Sequence, residues 1–506
     1  MAANSGKNFL VSVQKMVAGA VVLVACSTIS YTSSMALDLA EIYQLAEKND
    51  PSFRSAIFQR KATYEGKRQA IGLMLPTVTA NVGYTFTSQD VQSSDNDVFD
   101  LGETEYATTT YGLTLTQPLL HWDLILGYRQ AKAENLWADA ELLVANQTLM
   151  VHVADLYLRA LATQDQLDYA MAELKSVEKH FELAQGRHQM GLIPITDLYD
   201  AKARLASVQA IEIEVRNLLD DALIALEEVI GEPVVVINPL QDHVAFLPPD
   251  PVELKVWLDR ALAQNPSIKL QEHAVQIAVF EVKRQFAGHF PTVDAVGHYK
   301  SEESEGTVFG GGGEVASYDM MVQLNVPFYK GGIVSSNVRM AKHKLNSARQ
   351  DLTKSTRSVQ RQTRAAFLGV NTALKKIEAL QQSVTSSLLA LEAKQEGYLS
   401  GLFTSLNVLD AERDLSLVSI DYAKSRYRYV LNSLQLKQAV GTLTVDDVAK
   451  LNQWFVVSDR KVVEPAFTEM MFMGTQLPVE MDLPLPLPRN RLERIKRLKT
   501  KILKKV

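Results

Sequence analysis

The 506-residue sequence predicts a mainly α-helical chain that carries four β-strands of membrane-spanning length and is built by internal duplication. Three observations carry that expectation. Landmarks recur at a near-constant offset. Two short segments in each half alternate apolar and polar residues. The remainder keeps a coiled-coil spacing over stretches almost free of Pro and Gly.

The repeat comes first because it orders everything else. Asn49-Asp50-Pro51-Ser52 returns as Gln264-Asn265-Pro266-Ser267, and Pro76-Thr77-Val78 as Pro291-Thr292-Val293, both 215 residues later. Gly191-Leu192, Asp200-Ala201 and Gly231 return as Gly401-Leu402, Asp410-Ala411 and Gly441 at an offset of 210, and Pro118 as Pro327 at 209. The expected units are 37–250 and 251–455, with a leader at 1–36 and a tail at 456–506 that is Pro-rich and then basic.

The strands are expected at about 76–88, 106–118, 291–301 and 315–327. In the first, Val78, Ala80, Val82, Tyr84 and Phe86 alternate with Thr77, Thr79, Asn81, Gly83 and Thr85. A period of two gives one apolar and one polar face, and ~10 residues is the length of a barrel strand in lipid. The polar segments between them, 88–105 and 302–314, read as external loops. The run Gly310 to Gly313 is no phosphate loop, since no Lys-Ser/Thr follows it.

Long helices fill the rest. Leu167, Ala170, Leu174, Val177, Phe181 and Ala184 keep a 3-4 spacing, repeated 210 residues later by Ile377, Leu380, Val384, Ser387 and Leu391. That is an a/d seam. A helix from about 120 to 188 spans on the order of 100 Å at ~1.5 Å per residue. Turns near 191 and 401 reverse the chain, and the seam resumes through Leu198, Leu205, Val208 and Ile211, and through Leu409, Leu415, Val418 and Tyr422.

Four strands cannot close a barrel, and open edges are excluded from lipid. The smallest barrels have eight strands, so closure requires two or more chains; three would supply twelve strands. The polar faces then line a lumen, which the helices continue as a tube.

At the N-terminus, Lys7 and Lys15 precede the apolar run Met16 to Ala25, and Ser34-Met35-Ala36 offers a cleavage site. This reads as a secretory signal. Lipidation of Cys26, in Leu23-Val24-Ala25-Cys26, is the alternative. Charge points away from nucleic acid. The last 18 residues hold nine Lys/Arg and one Glu, the first 36 two Lys, and the net charge of −6 leaves −16 on residues 37–488. The tail segment with Leu492, Ile495, Leu498, Ile502 and Val506 reads as solvated, with adsorption to an anionic surface as the alternative. Enzyme chemistry has no support. The nine histidines show no His-Glu-x-x-His spacing, there is one Cys, and no Gly-x-Ser-x-Gly occurs. No cofactor is expected.

From Leu37 to about Phe455 the residues resemble the TolC family of outer-membrane efflux and secretion channels of Gram-negative bacteria. The matching motifs are Leu-Pro-Thr at 75–77, Gly-Leu-Ile-Pro-Ile-Thr-Asp at 191–197, Val-Pro-Phe-Tyr-Lys-Gly-Gly at 326–332, Val-Leu-Asp-Ala at 408–411 and Val-Gly-Thr-Leu at 440–443. The resemblance implies a homotrimer, a twelve-stranded barrel in outer-membrane lipid and a periplasmic α-helical coiled-coil barrel. It implies export of drugs, toxins or proteins, with a periplasmic membrane-fusion adaptor and an inner-membrane pump of ABC, RND or MFS type as partners. A non-conducting coiled-coil spacer of the envelope is the alternative, and a channel dedicated to protein secretion a third reading.

The resemblance also assigns a gate. The family closes its periplasmic end with inward carboxylates, which map onto Asn407 and Asp410, so one ring of three carboxylates is expected where the family has two. Like charges at close range repel, and this predicts cation selectivity, weaker than for two rings. Thr196, Asp197 and Tyr398 match residues that tie the two hairpins together. The basic partner falls at Phe403, so its salt bridge is expected to be missing. Asp197 also suits the first turn of the returning helix. Gly191, Leu192, Gly401 and Leu402 match the turns that touch the adaptor, with plain helix punctuation as the other reading.

Overall fold

The computed structural model describes residues 37–93, 102–234, 236–241, 243–306 and 311–456. The leader with Cys26, the tail beyond 456 and Gly310 of the glycine run lie outside the described residues.

The chain runs through the same six elements twice. The first pass is α1 (Leu39–Asn49), α2 (Pro51–Gly72), β1 (Thr77–Val91), β2 (Gly102–Leu120), α3 (Trp122–Gln189) and α4 (Ile195–Ile230). The second is α5 (Leu254–Gln264), α6 (Pro266–Ala287), β3 (Thr292–Ser304), β4 (Gly313–Asn325), α7 (Ile333–Leu399) and α8 (Ser405–Val440), closed by α9 (Val445–Asn452).

The Asn/Asp-Pro-Ser landmark is a joint between two helices. Proline is tolerated at a first helical position because its missing N–H has no partner there anyway. Asp50 ends α1, and its carboxylate accepts the Phe53 N–H at 2.5 Å to start α2. Asn265 does the same with Ser267 N–H at 2.8 Å, while its amide donates to Ala439 O at 2.7 Å.

The four strands form one antiparallel sheet in the order β1-β2-β3-β4. Register keeps the alternation in phase across it. Ala80 stands opposite Leu113, Leu113 opposite Tyr299 and Tyr299 opposite Tyr318; on the other face Thr79, Thr114, His298 and Asp319 line up. The register shifts once, between Pro118 and Leu120, where proline has no N–H for the ladder. β1 and β4 each keep one unpaired edge, and Val78, Val82, Tyr84, Phe86, Tyr318, Met320 and Val322 are exposed on the apolar face. The strands run slightly longer than the alternation alone indicates, chiefly at their loop ends. No helix among the described residues is long and apolar enough to cross a membrane.

The core lies where α1 and the C-terminal ends of α4 and α8 meet the middle of α3 and α7. Tyr43, Val153, Tyr157, Leu161, Leu226, Ile230, Val430 and Leu434 are all fully buried there. Burial and the Glu47 charge push the Tyr43 phenol up to about 12, partly offset by its bond to Asn146. Below that belt the a/d seam holds: Leu167, Ala170, Val177 and Ile377 are buried, with Leu380, Val384 and Leu391 half-buried. One seam position differs. Ile211 is exposed, and Glu212 takes the inward place one residue on, its carboxylate 2.5 Å from Arg216. The inward set Val208, Glu212, Val215, Leu219 follows the 3.6-residue helix, so an apolar residue one place off the stripe turns outward.

Candidate functional site: the helical tips

Both hairpins turn the same way. Gly191 (φ +75°) and Gly401 (φ +80°) adopt the left-handed conformation that glycine takes without a Cβ penalty. Gly191 N–H donates to His188 O at 2.8 Å and Leu192 N–H to Arg187 O at 2.9 Å; Gly401 N–H donates to Tyr398 O at 3.1 Å and Leu402 N–H to Gly397 O at 2.7 Å. These paired bonds satisfy the last carbonyls of α3 and α7. They leave Leu192 67% and Leu402 80% exposed at the apex, with Met190, Ile195, Leu399 and Leu406 exposed beside them. Each tip is thus an apolar knob on a rigid turn.

The returning helices start differently. α4 begins after Pro194 with no side-chain cap, and Thr196 Oγ1 donates to Asp197 at 3.2 Å. Asp197 sits in the first turn, where its charge complements the helix dipole. α8 begins with a capping box: Asn407 Oδ1 accepts from Thr404 N–H at 3.0 Å and from Thr404 Oγ1 at 2.7 Å. Asn407 is therefore committed to ending the turn, and no carboxylate stands at that place. Asp410, one turn on, is half-exposed with Arg413 Nη1 3.8 Å away. Arg413 also bonds Asp414 at 3.1 Å.

Within one chain Thr196 and Asp197 come together, but no hydrogen bond among the described residues joins either to Tyr398. Tyr398 instead faces Arg187, whose guanidinium carbon lies 5.9 Å from the ring centroid. Phe403 folds back on its own hairpin, its ring covering Gly397 where any Cβ would collide with it. Further up, α3 is bonded to α8: Ser176 Oγ to Glu412, Lys424 Nζ to Gln166 at 2.9 Å and Tyr427 Oη to Asp165 at 2.6 Å. Sequence reading missed these links. Arg187 carried one usable signal: it stands 210 residues before Gly397, at the same place in the repeat.

The model of the outer membrane efflux protein family matches the chain twice, over residues 42–232 and 257–442. The chain belongs to this family. The two matched stretches fall on the two passes through the fold. The chain is 29% identical over 425 residues to the outer membrane protein TolC of Vibrio cholerae, covering 84% of this chain and 95% of that protein. It is 28% identical over 426 residues to the alkaline protease secretion protein AprF of Pseudomonas aeruginosa, covering 84% and 88%. The Campylobacter jejuni CmeC outer membrane channel has the same fold, with a TM-score of 0.69 at 15% identity over 84% of this chain and 94% of that one. The family consists of channels rather than enzymes. This member is an outer-membrane exit channel for efflux or type I secretion, with a β-barrel continued by an α-helical barrel.

Proposed function

We propose that three copies of the chain close a twelve-stranded barrel and a helical tube, whose tips receive a periplasmic membrane-fusion adaptor and an inner-membrane pump of the ABC, RND or MFS type. The sheet carries this reading: four strands with an exposed apolar face and two open edges have no stable place in lipid until other copies pair those edges. Drugs, toxins or proteins are the cargo. The similarity to a protease secretion protein supports a protein cargo, and the pump, not this chain, selects it.

Gating is placed at the tips. Asp410 supplies one ring of three carboxylates, Asn407 holds the turn that positions it, and Arg187 with Tyr398 ties one hairpin to the other. Thr196 and Asp197 hold the start of α4. Leu192 and Leu402, presented by Gly191 and Gly401, are the apolar knobs offered to the adaptor. With Arg413 close to Asp410, cation selectivity is modest.

Single-channel conductance in a planar bilayer tests this reading, with the wild type beside Asp410→Asn. Small cation-selective openings that lose selectivity in the variant support both channel and gate. Openings unchanged by the substitution keep the channel and move the gate. No current from folded trimers, even after Arg187→Ala and Tyr398→Ala loosen the tips, overturns conduction and leaves a structural spacer.

A further inference from the structure

Positive charge is concentrated just under the sheet, in a chain whose body is acidic. α2 carries five Lys/Arg and one Glu, and residues 333–364 of α7 carry eight Lys/Arg and one Asp. By contrast α4, which runs from the tip to the core, carries three Lys/Arg and eight Asp/Glu.

The cations keep to one flank of their helices. Phe53 of α2 and Phe367 of α7 are both buried in the core that α1 and Trp257 build against one side of the long helices. A tube with an open lumen carries such a layer on its outside. On α2, steps of three and four from Phe53 lead through Ile57 to Lys61, Tyr64 and Arg68. The opposite flank, Ser55, Gln59, Ala62, Gly66 and Ala70, has no charge. On α7, the same spacing leads up from Phe367 through Gln360 and Thr353 to Arg349, Lys342 and Arg339. The opposite flank, Lys344, Ser347, Asp351, Ser358 and Gln362, is net neutral. The cations therefore stand on the outer surface of the tube.

The repeat shows which of them stay open when a helix has a neighbour on both sides. Lys61 and Arg68 correspond to Gln276 and Lys283 of α6, and Lys342 to Lys132 of α3; all three counterparts are exposed. Further down, Arg357, Gln360 and Arg364 correspond to Gln147, Met150 and Ala154 of α3, a stripe that is buried, with Gln147 bonded to the second repeat. The surface is drawn above them. Asp139, the α3 carboxylate on this flank, is taken by Arg60 at 2.6 Å, and Arg68 pairs with Glu65 at 2.8 Å. Lys61, Lys132, Arg339, Lys342 and Arg349 are exposed and have no ion pair among the described residues. Phe58, 58% exposed with Lys61 Nζ 5.3 Å from its centroid, adds an open ring whose negative face receives C–H groups such as those of a sugar.

We propose that this outer flank of the upper helices docks on peptidoglycan, a periplasmic polymer of sugar strands and carboxylate-bearing peptides. Charge complementarity selects an anionic partner. Depth selects a polymer over the membrane surface. Lys61 lies eleven residues from the end of α2, and Arg349 sixteen residues past the start of α7. These are roughly 15–25 Å along the helix axes, where charge on a planar membrane is screened over about 8 Å at physiological ionic strength.

The proposal rests on the reading that the tube stands in the periplasm, and its test separates the two. Full-length protein in nanodiscs of neutral lipid is mixed with isolated peptidoglycan sacculi and sedimented. The wild type is expected to sediment with them. Lys61→Gln, Lys342→Gln and Arg349→Gln together are expected to lower the bound fraction several-fold at an unchanged melting temperature. Lys61→Arg, Lys342→Arg and Arg349→Lys together are expected to retain it. Amidation of the sacculus carboxylates, or raised salt, is expected to release the wild type. Equal binding by the Gln variant, or binding indifferent to amidation, overturns the proposal. Binding to phosphatidylglycerol vesicles but not to sacculi assigns the flank to a lipid surface and overturns it as well. For the topology, Arg349→Cys in a Cys26→Ser background is treated with a maleimide polymer too large to pass the outer membrane. Labelling is expected only once that membrane is breached. Labelling of intact cells overturns the periplasmic reading together with the proposal. Labelling confined to breached cells, without sacculus binding, overturns the proposal alone.

Discussion

The first hairpin, α3 with α4, and the second, α7 with α8, share length, turn chemistry and seam, yet they differ wherever their surroundings differ. At the tip, Arg187 stands where the second hairpin has Gly397, and Ile193 where it has Phe403. The second tip closes on itself, with Phe403 over Gly397 and Thr404 boxed by Asn407. The first extends a cation to its neighbour's Tyr398. At the waist, α3 is buried on two sides, while α7 keeps a charged stripe in the open. A duplicated unit keeps what each copy needs to fold and diverges where one copy meets its own chain and the other does not.

The largest test of this comparison is in the core. Tyr157 is fully buried, donates to Asn238 O at 2.8 Å and meets the Phe455 ring edge-on at 5.2 Å. Phe367, its counterpart, has no hydroxyl. Tyr157→Ala is expected to cost about 3–5 kcal/mol, and Tyr157→Phe about 0.5–1.5 kcal/mol from the lost hydrogen bond. Heat unfolding followed by circular dichroism checks both. A loss for Tyr157→Ala no greater than for Tyr157→Phe would mean the ring is not part of the core.

The helix-ending glycines come next. Gly231 and Gly441 are both left-handed, at φ +75° and +86°. A Cβ on Gly231 meets its nearest atom at 3.7 Å, whereas one on Gly441 lies 2.6 Å from Pro266 Cδ and 2.9 Å from backbone atoms. Gly231→Ala is expected to cost about 1–2 kcal/mol from conformation alone, and Gly441→Ala about 1–3 kcal/mol more from overpacking. Equal melting shifts for the two would break the comparison.

The second repeat also has α9, which the first lacks. Asp447 is partly buried, which alone raises a carboxyl pKa, but the Lys437 ammonium at 2.7 Å and the Thr444 N–H outweigh burial and hold it below the usual range. A depressed folded pKa contributes stability above the unfolded value and loses it as pH falls through the folded one. Acid titration of the melting temperature is expected to be shallower in Asp447→Asn, with the difference opening as pH falls below about 5. An unchanged acid slope would remove Asp447 from the linkage.

The smallest effect is at the tips. Arg187→Ala removes a contact worth about 0.5–1 kcal/mol at an exposed site. It is expected to raise open probability in bilayers while leaving the melting temperature nearly unchanged. Phe403→Ala is expected to act on the second hairpin alone.

The repeat, four amphipathic strands, two reversals and coiled-coil rods were legible in the sequence because each is a local period: two, 3.6, or a landmark at 210 or 215. The strand faces followed directly, since a pleat admits only two. The candidate gate was legible only by resemblance, and in part. The sequence placed Asn407 and Asp410 on one stretch of helix, but not the capping box that engages Asn407 or the Arg413 beside Asp410. It offered Ile211 for the seam because Ile is apolar, while helix phase put Glu212 there. The contacts between hairpins, Arg187 with Tyr398, Ser176 with Glu412 and Tyr427 with Asp165, join residues more than 200 apart along the chain. Periodicity fixes which face a residue shares, not which distant face it meets. That choice belongs to packing, where burial of the α3 stripe by the second repeat sets the register and leaves the matching stripe of α7 open.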